Sequence, residues 1–314
     1  MRALQYDRLG DPEDVLALHD VAEPHPGPGQ VRVRVAFCGL NPADWALCEG
    51  LFPDQEPPCG IGLEVSGTVD EVGEGVPDDE LGRLVLGPVP HGTASAGAAE
   101  LAVLATWTAV PEGLDLAQAA ALPMAAETAT RCVDLLGVAP GETLLVHGAG
   151  SVIGRMAAQL ALHRGVRVIA TAGPRNAASL RASGAQVTTY GDGMVDRVRD
   201  LAGGPVDRAF DSAPVAWAPP DTPPAPDGVL PDLVAITGDP DRVLTVARPA
   251  EAARLGVRNS AGALRIDALP QVAALAARGA VDVPIAGSYP LAEFGETVRR
   301  SRSMQAGGKL LLVP

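Results

Sequence analysis

The residues best placed by type and spacing to do chemistry lie in TLLVHGAGSVIGRMAA, residues 143–158. Gly148, Ala149, Gly150 and Ser151 make a tight turn of small residues, and Val152, Ile153 and Gly154 open the segment after it. Small side chains let backbone approach a pyrophosphate, and glycine at 154 lets a helix pack close on the strand before it. The free N–H groups at a helix start then hold negative phosphates. The chemistry implied is dinucleotide binding. The strict Gly-x-Gly-x-x-Gly pattern is not met, because Gly148 and Gly150 are followed by Ile153; shifting the frame puts Ala149, Ser151 and Gly154 at the three positions. A plain tight turn in another α/β protein is the competing reading.

Two elements must position that turn. Residues 143–147 form a short apolar run of the kind a buried parallel strand shows. From Ile153 the sequence reads as a helix, with Met156, Ala157, Leu160 and Ala161 at helical spacing. A second strand is expected at 166–170, followed by Thr171, Ala172, Gly173, Pro174, Arg175 and Asn176. An acidic residue there would bind the ribose hydroxyls of NAD, and none is present. Arg175 is a fixed cation able to pair with a 2′-phosphate, which points to NADP(H); a solvated loop arginine is the other reading.

The chain has 314 residues, 47% hydrophobic and 20% charged, which suggests about two domains with a substantial core. A net charge of −14 argues against nucleic acid or an anionic membrane as partner. Lys309 is the only lysine, so a Schiff-base mechanism has nowhere else to form. No signal-like opening and no membrane-length apolar run is read, and Cys38, Cys48, Cys59 and Cys132 show no CxxC pairing. The expectation is a cytoplasmic protein with free thiols.

Up to about residue 120 the chain is strand-like: VRVRVAF alternates at 31–37, EVSGTVDEV extends over 64–72, and Gly and Pro punctuate the rest. This suggests a compact, barrel-like β domain. From Leu116 the pattern becomes an alanine-rich helix that leads to the strand at Thr143.

Taken in order, PGPGQVRVRVAFCGLNPADW, GLEVSGTVDEVGEGV, AAALPMAAETAT, GETLLVHGAGSVIG, VIATAGPRN, LRASGAQVTTY, VDRAFDSA, LVAITG and GGKLLLVP resemble the medium-chain dehydrogenase/reductases, and within them the zinc-free quinone oxidoreductase group. The resemblance runs along nearly the whole chain. It implies an α/β fold: a Rossmann doubly wound parallel sheet plus a GroES-like, β-barrel-type catalytic domain. The expected division is a catalytic domain at 1–120, an NADP(H)-binding domain at 121–255, and a return segment at 256–314 completing the sheet and the catalytic domain. A homodimer is usual in the family.

The resemblance also bears on metal. Zinc-dependent relatives have a cysteine where Asn41 stands and a histidine where Leu63 stands, although Glu64 remains. A catalytic zinc needs about three protein ligands. No metal is expected. What remains is hydride transfer from NADPH to the β-carbon of an enone, quinone or enoyl substrate, with protein groups supplying orientation and electrostatics. The family motif puts Asn41 toward the nicotinamide, Thr128 near the ribose, and Asp44 in support of the Asn41 loop; Asn41-Pro42 also reads as a simple turn initiator. Phe52 stands where relatives often have a tyrosine, and phenylalanine cannot donate a hydrogen bond. His91 is either a replacement proton donor or a solvated loop histidine.

The same comparison implies a third strand at 186–190, with Tyr190 near the adenosine phosphate. A fourth strand at 207–211 should bring Ser212 and Ala213 to the cofactor. A fifth at 233–238 should place Thr237 and Gly238 near the nicotinamide. The run PVAWAPPDTPPAPDGVLP has too many prolines for a helix, so an irregular crossing is expected that leaves one face of the sheet thinly covered, with either Trp217 or a partner subunit filling the gap. The resemblance implies that Lys309 lies near the cofactor cleft; a solvated strand-start residue is the other reading. Two function classes stay open: a reductase, its substrate a small conjugated carbonyl or a polyketide intermediate, and a redox-inactive member acting as a binding protein or a redox-neutral cyclase or dehydratase.

Overall fold

The computed structural model describes residues 1–52, 55–214 and 228–314. The chain divides into two compact units, Met1–Met124 with Ile266–Pro314, and Ala125–Arg265. The return to the first unit thus falls at Ile266 rather than at 256.

The first unit is built on a seven-stranded sheet. Its path runs Ile285–Pro290, Lys309–Val313, Val31–Leu40, Glu64–Val72, Leu84–Pro88 and Thr108–Ala109, and Leu101–Leu104 pairs the Val31–Leu40 strand as well. A smaller sheet of Leu16–Asp20, Arg2–Tyr6 and Cys59–Gly60 accompanies it. Alternation of valine with arginine at 31–35 buries Val31, Val33 and Val35 on one face, as a pleated strand requires. They share one apolar core with Leu4, Tyr6, Val65, Val69, Val85 and Leu104. Strand register decides which chemical groups meet. Leu310 pairs with Leu40, and Gly39 pairs with Glu64. Lys309, Asn41 and Glu64 therefore stand at the neighbouring ends of three strands.

The second unit is a six-stranded parallel sheet in the order Gln186–Thr188, Arg167–Thr171, Thr143–His147, Arg208–Asp211, Val243–Thr245, Arg258–Asn259. This 3-2-1-4-5-6 order is that of the doubly wound dinucleotide-binding fold, whose strand order reverses between the first and fourth strands. Those strands are Thr143–His147, buried at every residue, and Arg208–Asp211. The helix after the small-residue turn runs Val152–His163 with Ser151 as its N-cap.

One expected strand is corrected. The segment 233–238 is not a strand: Leu230–Thr237 is a helix closed by Gly238 in the left-handed conformation at φ 76°. Leu230, Leu233, Ile236 and Thr237 are its buried residues, a helical spacing. A short apolar run does not distinguish a buried helix from a buried strand. The fifth strand is Val243–Thr245. The third is shorter than expected and ends at Thr188, two residues before Tyr190. Trp217 and most of the proline-rich run lie outside the described residues. After Arg265 the chain makes a 3-10 turn, Ile266–Ala268, continued by the helix Leu269–Ala277.

Candidate active site

In the first unit, Asn41 caps the helix Pro42–Cys48 from an extended conformation. Asp44 ties this corner down, its Oδ2 accepting the Asn41 N–H at 2.7 Å and its Oδ1 the Gly62 N–H at 2.7 Å. The carboxyl is fully buried. Burial pushes its pKa up to about 7, and the two backbone N–H groups pull the other way.

The Asn41 side chain lies against a buried ion pair. Its Nδ2 donates to Glu64 Oε1 at 2.9 Å, and its Oδ1 accepts from Lys309 Nζ at 2.6 Å. Lys309 Nζ also donates to Glu64 Oε1. Glu64 Oε2 accepts the Met124 N–H at 2.8 Å. Lys309 and Glu64 are 3% and 0% exposed, so neither charge has water to solvate it and each depends on the other. Lys309, expected beside the cofactor, is thus grouped with Asn41. Leu63 is buried and supplies no ligand atom. Among the described residues no group of three or more His, Cys, Asp or Glu is arranged to hold a metal ion.

Phe52 and His91 form a second group in this unit. Their rings are 5.9 Å apart and tilted by 49°. Gln55 Nε2 lies 3.2 Å from His91 Nδ1, and Gln55 Oε1 accepts the Tyr6 hydroxyl at 2.9 Å. A hydrogen-bonded chain therefore runs from the buried phenol of Tyr6 to an exposed imidazole. Tyr6 and Gln55 carry no spacing signal and were not singled out in the sequence.

In the second unit, the turn has the backbone its composition suggested. Gly148 sits at φ 75°, where an added Cβ would lie 2.4 Å from the Ala213 Cα. A Cβ on Gly154 would lie 2.3 Å from Ser212 Oγ, so this helix cannot approach its neighbour with any larger residue. Ser151 Oγ accepts the Gly154 N–H at 3.0 Å. The N–H groups of Val152 and Ile153, in the helix's first turn, have no partner within the helix. Ala149 N–H donates to Thr171 O at 3.1 Å, and Ala172 N–H to Thr188 O at 3.1 Å, which fixes the two strand ends beside the turn. Ser212 Oγ donates to His147 O at 3.0 Å, and Ala213 N–H to Asp211 Oδ1 at 3.2 Å. Small residues and a helix start meet at the strand-order reversal, so the chain fits a dinucleotide pyrophosphate.

Arg175 is exposed in the first turn of helix Pro174–Ala182. Tyr190 is 60% exposed, and its hydroxyl reaches within 3.7 Å of a Cβ position on Gly173, next to that helix start. Thr237 and Gly238 are different. The Thr237 hydroxyl donates to Leu233 O at 3.1 Å and caps its own helix, so the strand-end argument for these two residues no longer applies.

Three polar networks of this unit go beyond what the sequence showed, which singled out Thr128 but none of its partners. Thr128 Oγ1 donates to Glu127 Oε2 at 2.9 Å, and Arg131 Nε donates to Glu127 Oε1 at 2.6 Å. Burial pushes the Glu127 carboxyl up, but the Arg131 hydrogen bond and charge, with the Arg265 N–H and Thr128 hydroxyl, hold it below the usual carboxylate range. A row of polar residues also crosses four neighbouring strands at their C-terminal ends: Thr171, His147, Asp211 and Thr245 are in register. His147 Nδ1 lies 2.9 Å from Thr171 Oγ1, and Thr245 Oγ1 donates to Asp211 Oδ2 at 2.8 Å. Burial lowers the His147 pKa, opposed by the nearby Asp211 charge. Finally, Arg248 Nε lies 3.4 Å from Asp211 Oδ2, countering a carboxylate that is fully buried.

Residues 27–130 match the family described as the alcohol dehydrogenase GroES-like domain. Quinone oxidoreductase of Sus scrofa is 38% identical over 180 residues, covering 55% of this chain and 53% of that protein. Polyketide synthase GfsB of Streptomyces halstedii is 40% identical over 157 residues, covering 50% of this chain and 3% of that protein. The chain thus spans about half the length of the quinone oxidoreductases it matches and a small fraction of the polyketide synthases. The crystal structure of an NAD-dependent alcohol dehydrogenase superposes over 100% of both chains with a TM-score of 0.85 at 26% identity. The chain thus carries an alcohol dehydrogenase GroES-like domain, is similar in sequence to quinone oxidoreductases, and shares the fold of the medium-chain dehydrogenase/reductases.

Proposed function

We propose that the protein is a metal-independent, NADPH-dependent reductase that delivers hydride to the β-carbon of an enone, quinone or enoyl substrate. One observation carries the metal-independent part. Glu64, the carboxylate left where relatives hold zinc, is occupied by Lys309, Asn41 and the Met124 N–H. Chemistry that needs no Lewis-acid metal begins from a carbonyl already conjugated to the accepting carbon.

A bound reduced nicotinamide would supply the hydride. The chain's own residues do the rest. The backbone from Gly148 to Gly154 holds the pyrophosphate, with Ala172, Ser212 and Ala213 lining the strand ends beside it. Arg175 and Tyr190 take the 2′-phosphate of the adenosine ribose. Thr128 faces the other ribose: its own proton is committed to Glu127, so it offers lone pairs to a ribose hydroxyl. Asn41 faces the substrate carbonyl. As the β-carbon accepts hydride, the π electrons move onto the carbonyl oxygen, and an N–H donor there stabilises the charge. A proton then completes the reduction, from water directly or through His91. The match with a polyketide synthase supports an enoyl intermediate of polyketide assembly as the natural substrate class.

The test is NADPH oxidation by the purified protein, assayed with menadione and with cyclohexenone. Turnover that persists after exhaustive chelation is expected. Failure of both probes, with NADPH still bound, would overturn the reductase reading.

A further inference from the structure

The Asn41 side chain has one permitted amide orientation. Its Oδ1 is 2.6 Å from an ammonium, which can only donate, and its Nδ2 is 2.9 Å from a carboxylate, which can only accept. Turned over, the amide would set N–H against Lys309 and oxygen against Glu64, wrong on both sides. Charge therefore decides which amide atom faces where. Strand register delivers those charges, because Lys309 precedes Leu310, the partner of Leu40, and Glu64 pairs with Gly39. Gly39 leaves the room: a Cβ there would lie 2.6 Å from Glu64 Oε1.

The arrangement also polarises the amide. A hydrogen bond accepted from a cation at the carbonyl oxygen draws electrons from the nitrogen, and linked hydrogen bonds strengthen one another in a low-dielectric interior. Nδ2 carries two hydrogens, and Glu64 takes one.

We propose that Lys309 and Glu64 are positioning residues that aim and polarise the second Nδ2–H of Asn41 as the donor to the substrate's carbonyl oxygen, so that the site's fixed positive charge is a lysine acting through an amide. This rests on the reading above in which Asn41 faces substrate. The ammonium does not touch the substrate. It makes the amide a stronger donor to an oxygen that gains charge as hydride arrives.

The test compares Asn41→Ala, Lys309→Met, and the double variant Lys309→Met/Glu64→Gln. Lys309→Met strands the Glu64 charge in the interior, and where that prevents folding the double variant, which removes both charges together, is the one measured. Each is assayed for kcat and KM with menadione and for NADPH affinity by fluorescence titration. Each is also examined by Raman difference spectroscopy of menadione bound with NADP+, where nothing turns over. The account predicts that Asn41→Ala lowers kcat by about 10²-fold. The double variant should lower it about tenfold with NADPH affinity within about twofold, because the amide is still present but is no longer aimed or polarised by charge. The menadione carbonyl stretch, shifted down in the native protein, should move back toward its free value in both. If Asn41→Ala lowers kcat but the double variant changes neither kcat nor the stretch, the positioning role is overturned and the functional reading stands. If Asn41→Ala itself has no effect, the functional reading falls and takes this inference with it.

Discussion

Lys309 Nζ lies 2.6 Å from Asn41 Oδ1, although 268 residues separate the two in sequence. Each is an isolated polar residue at the end of a strand, and antiparallel pairing of those strands closes the distance. The pair explains why Asn41 can do more than begin a turn: its amide is held between two charges of opposite sign.

Replacing Asn41 with aspartate sets a second carboxyl beside Glu64. Two carboxylates sharing one cation raise the pKa of one of them. Asn41→Asp should lower kcat by about 10²-fold at neutral pH, where the ionised group has no proton to donate. Activity should recover in part as pH falls and the acid regains its O–H. A pH–rate profile of the variant checks this; loss that is independent of pH would contradict a donor role.

Gly148 has φ 75° and faces the Ala213 backbone at 2.4 Å from a Cβ position. Gly148→Ala therefore meets backbone strain and a clash with atoms that cannot rotate away. The strain alone is worth about 1–3 kcal/mol. Urea unfolding should show at least that loss, and NADPH titration a weaker complex, because the turn moves.

Asp44 gives a pH signature of stability. Its folded-state pKa, raised by burial to about 7 from 3.8, means that the native state holds the proton over a range where the unfolded chain has released it. The contribution is fully present below about pH 4 and declines as pH rises through about 7. The stability difference between native protein and Asp44→Asn should therefore shrink across that window and be flat above it. Thermal melts of both proteins at a series of pH values measure it. A difference that grows with pH would mean that Lys309 and the backbone N–H groups outweigh desolvation.

Arg131 and Glu127 are 12% and 7% exposed and pair at 2.6 Å. Removing one partner of a buried pair leaves an uncompensated charge, at a cost of about 3–5 kcal/mol. Arg131→Met should cost that much, and the double variant Glu127→Gln/Arg131→Met should regain most of it. Denaturant titration of the two variants decides. Glu127 is held below its ordinary pKa, so its contribution is present above about pH 4.5 and lost as pH falls through the folded-state value.

Much of the scaffold was legible in the sequence, for physical reasons specific to each element. Thr143–His147 reads to the residue because a parallel strand buried on both faces is a continuous apolar run. Glu64–Val72 is read to the residue as well, bounded by glycines and turn residues. Residues 233–238 were misread because six mostly apolar residues suit a buried helix as well as a strand, and the deciding signal was Gly238 as a C-cap. The contact of Lys309 with Asn41 is not legible in linear sequence, which does not carry strand register; it depends on Leu310 opposing Leu40. The Tyr6–Gln55–His91 chain was invisible because its members share no element and no spacing.

The central claim is that the backbone from Gly148 to Gly154 holds a dinucleotide whose extra phosphate Arg175 recognises. Calorimetric titration of the purified protein with NADPH and with NADH tests it most directly, repeated on Arg175→Ala. The account predicts saturable binding of both, NADPH the tighter by about tenfold or more, and a preference that collapses in the variant while NADH affinity holds. Binding of neither nucleotide, or tighter binding of NADH by the native protein, would contradict it.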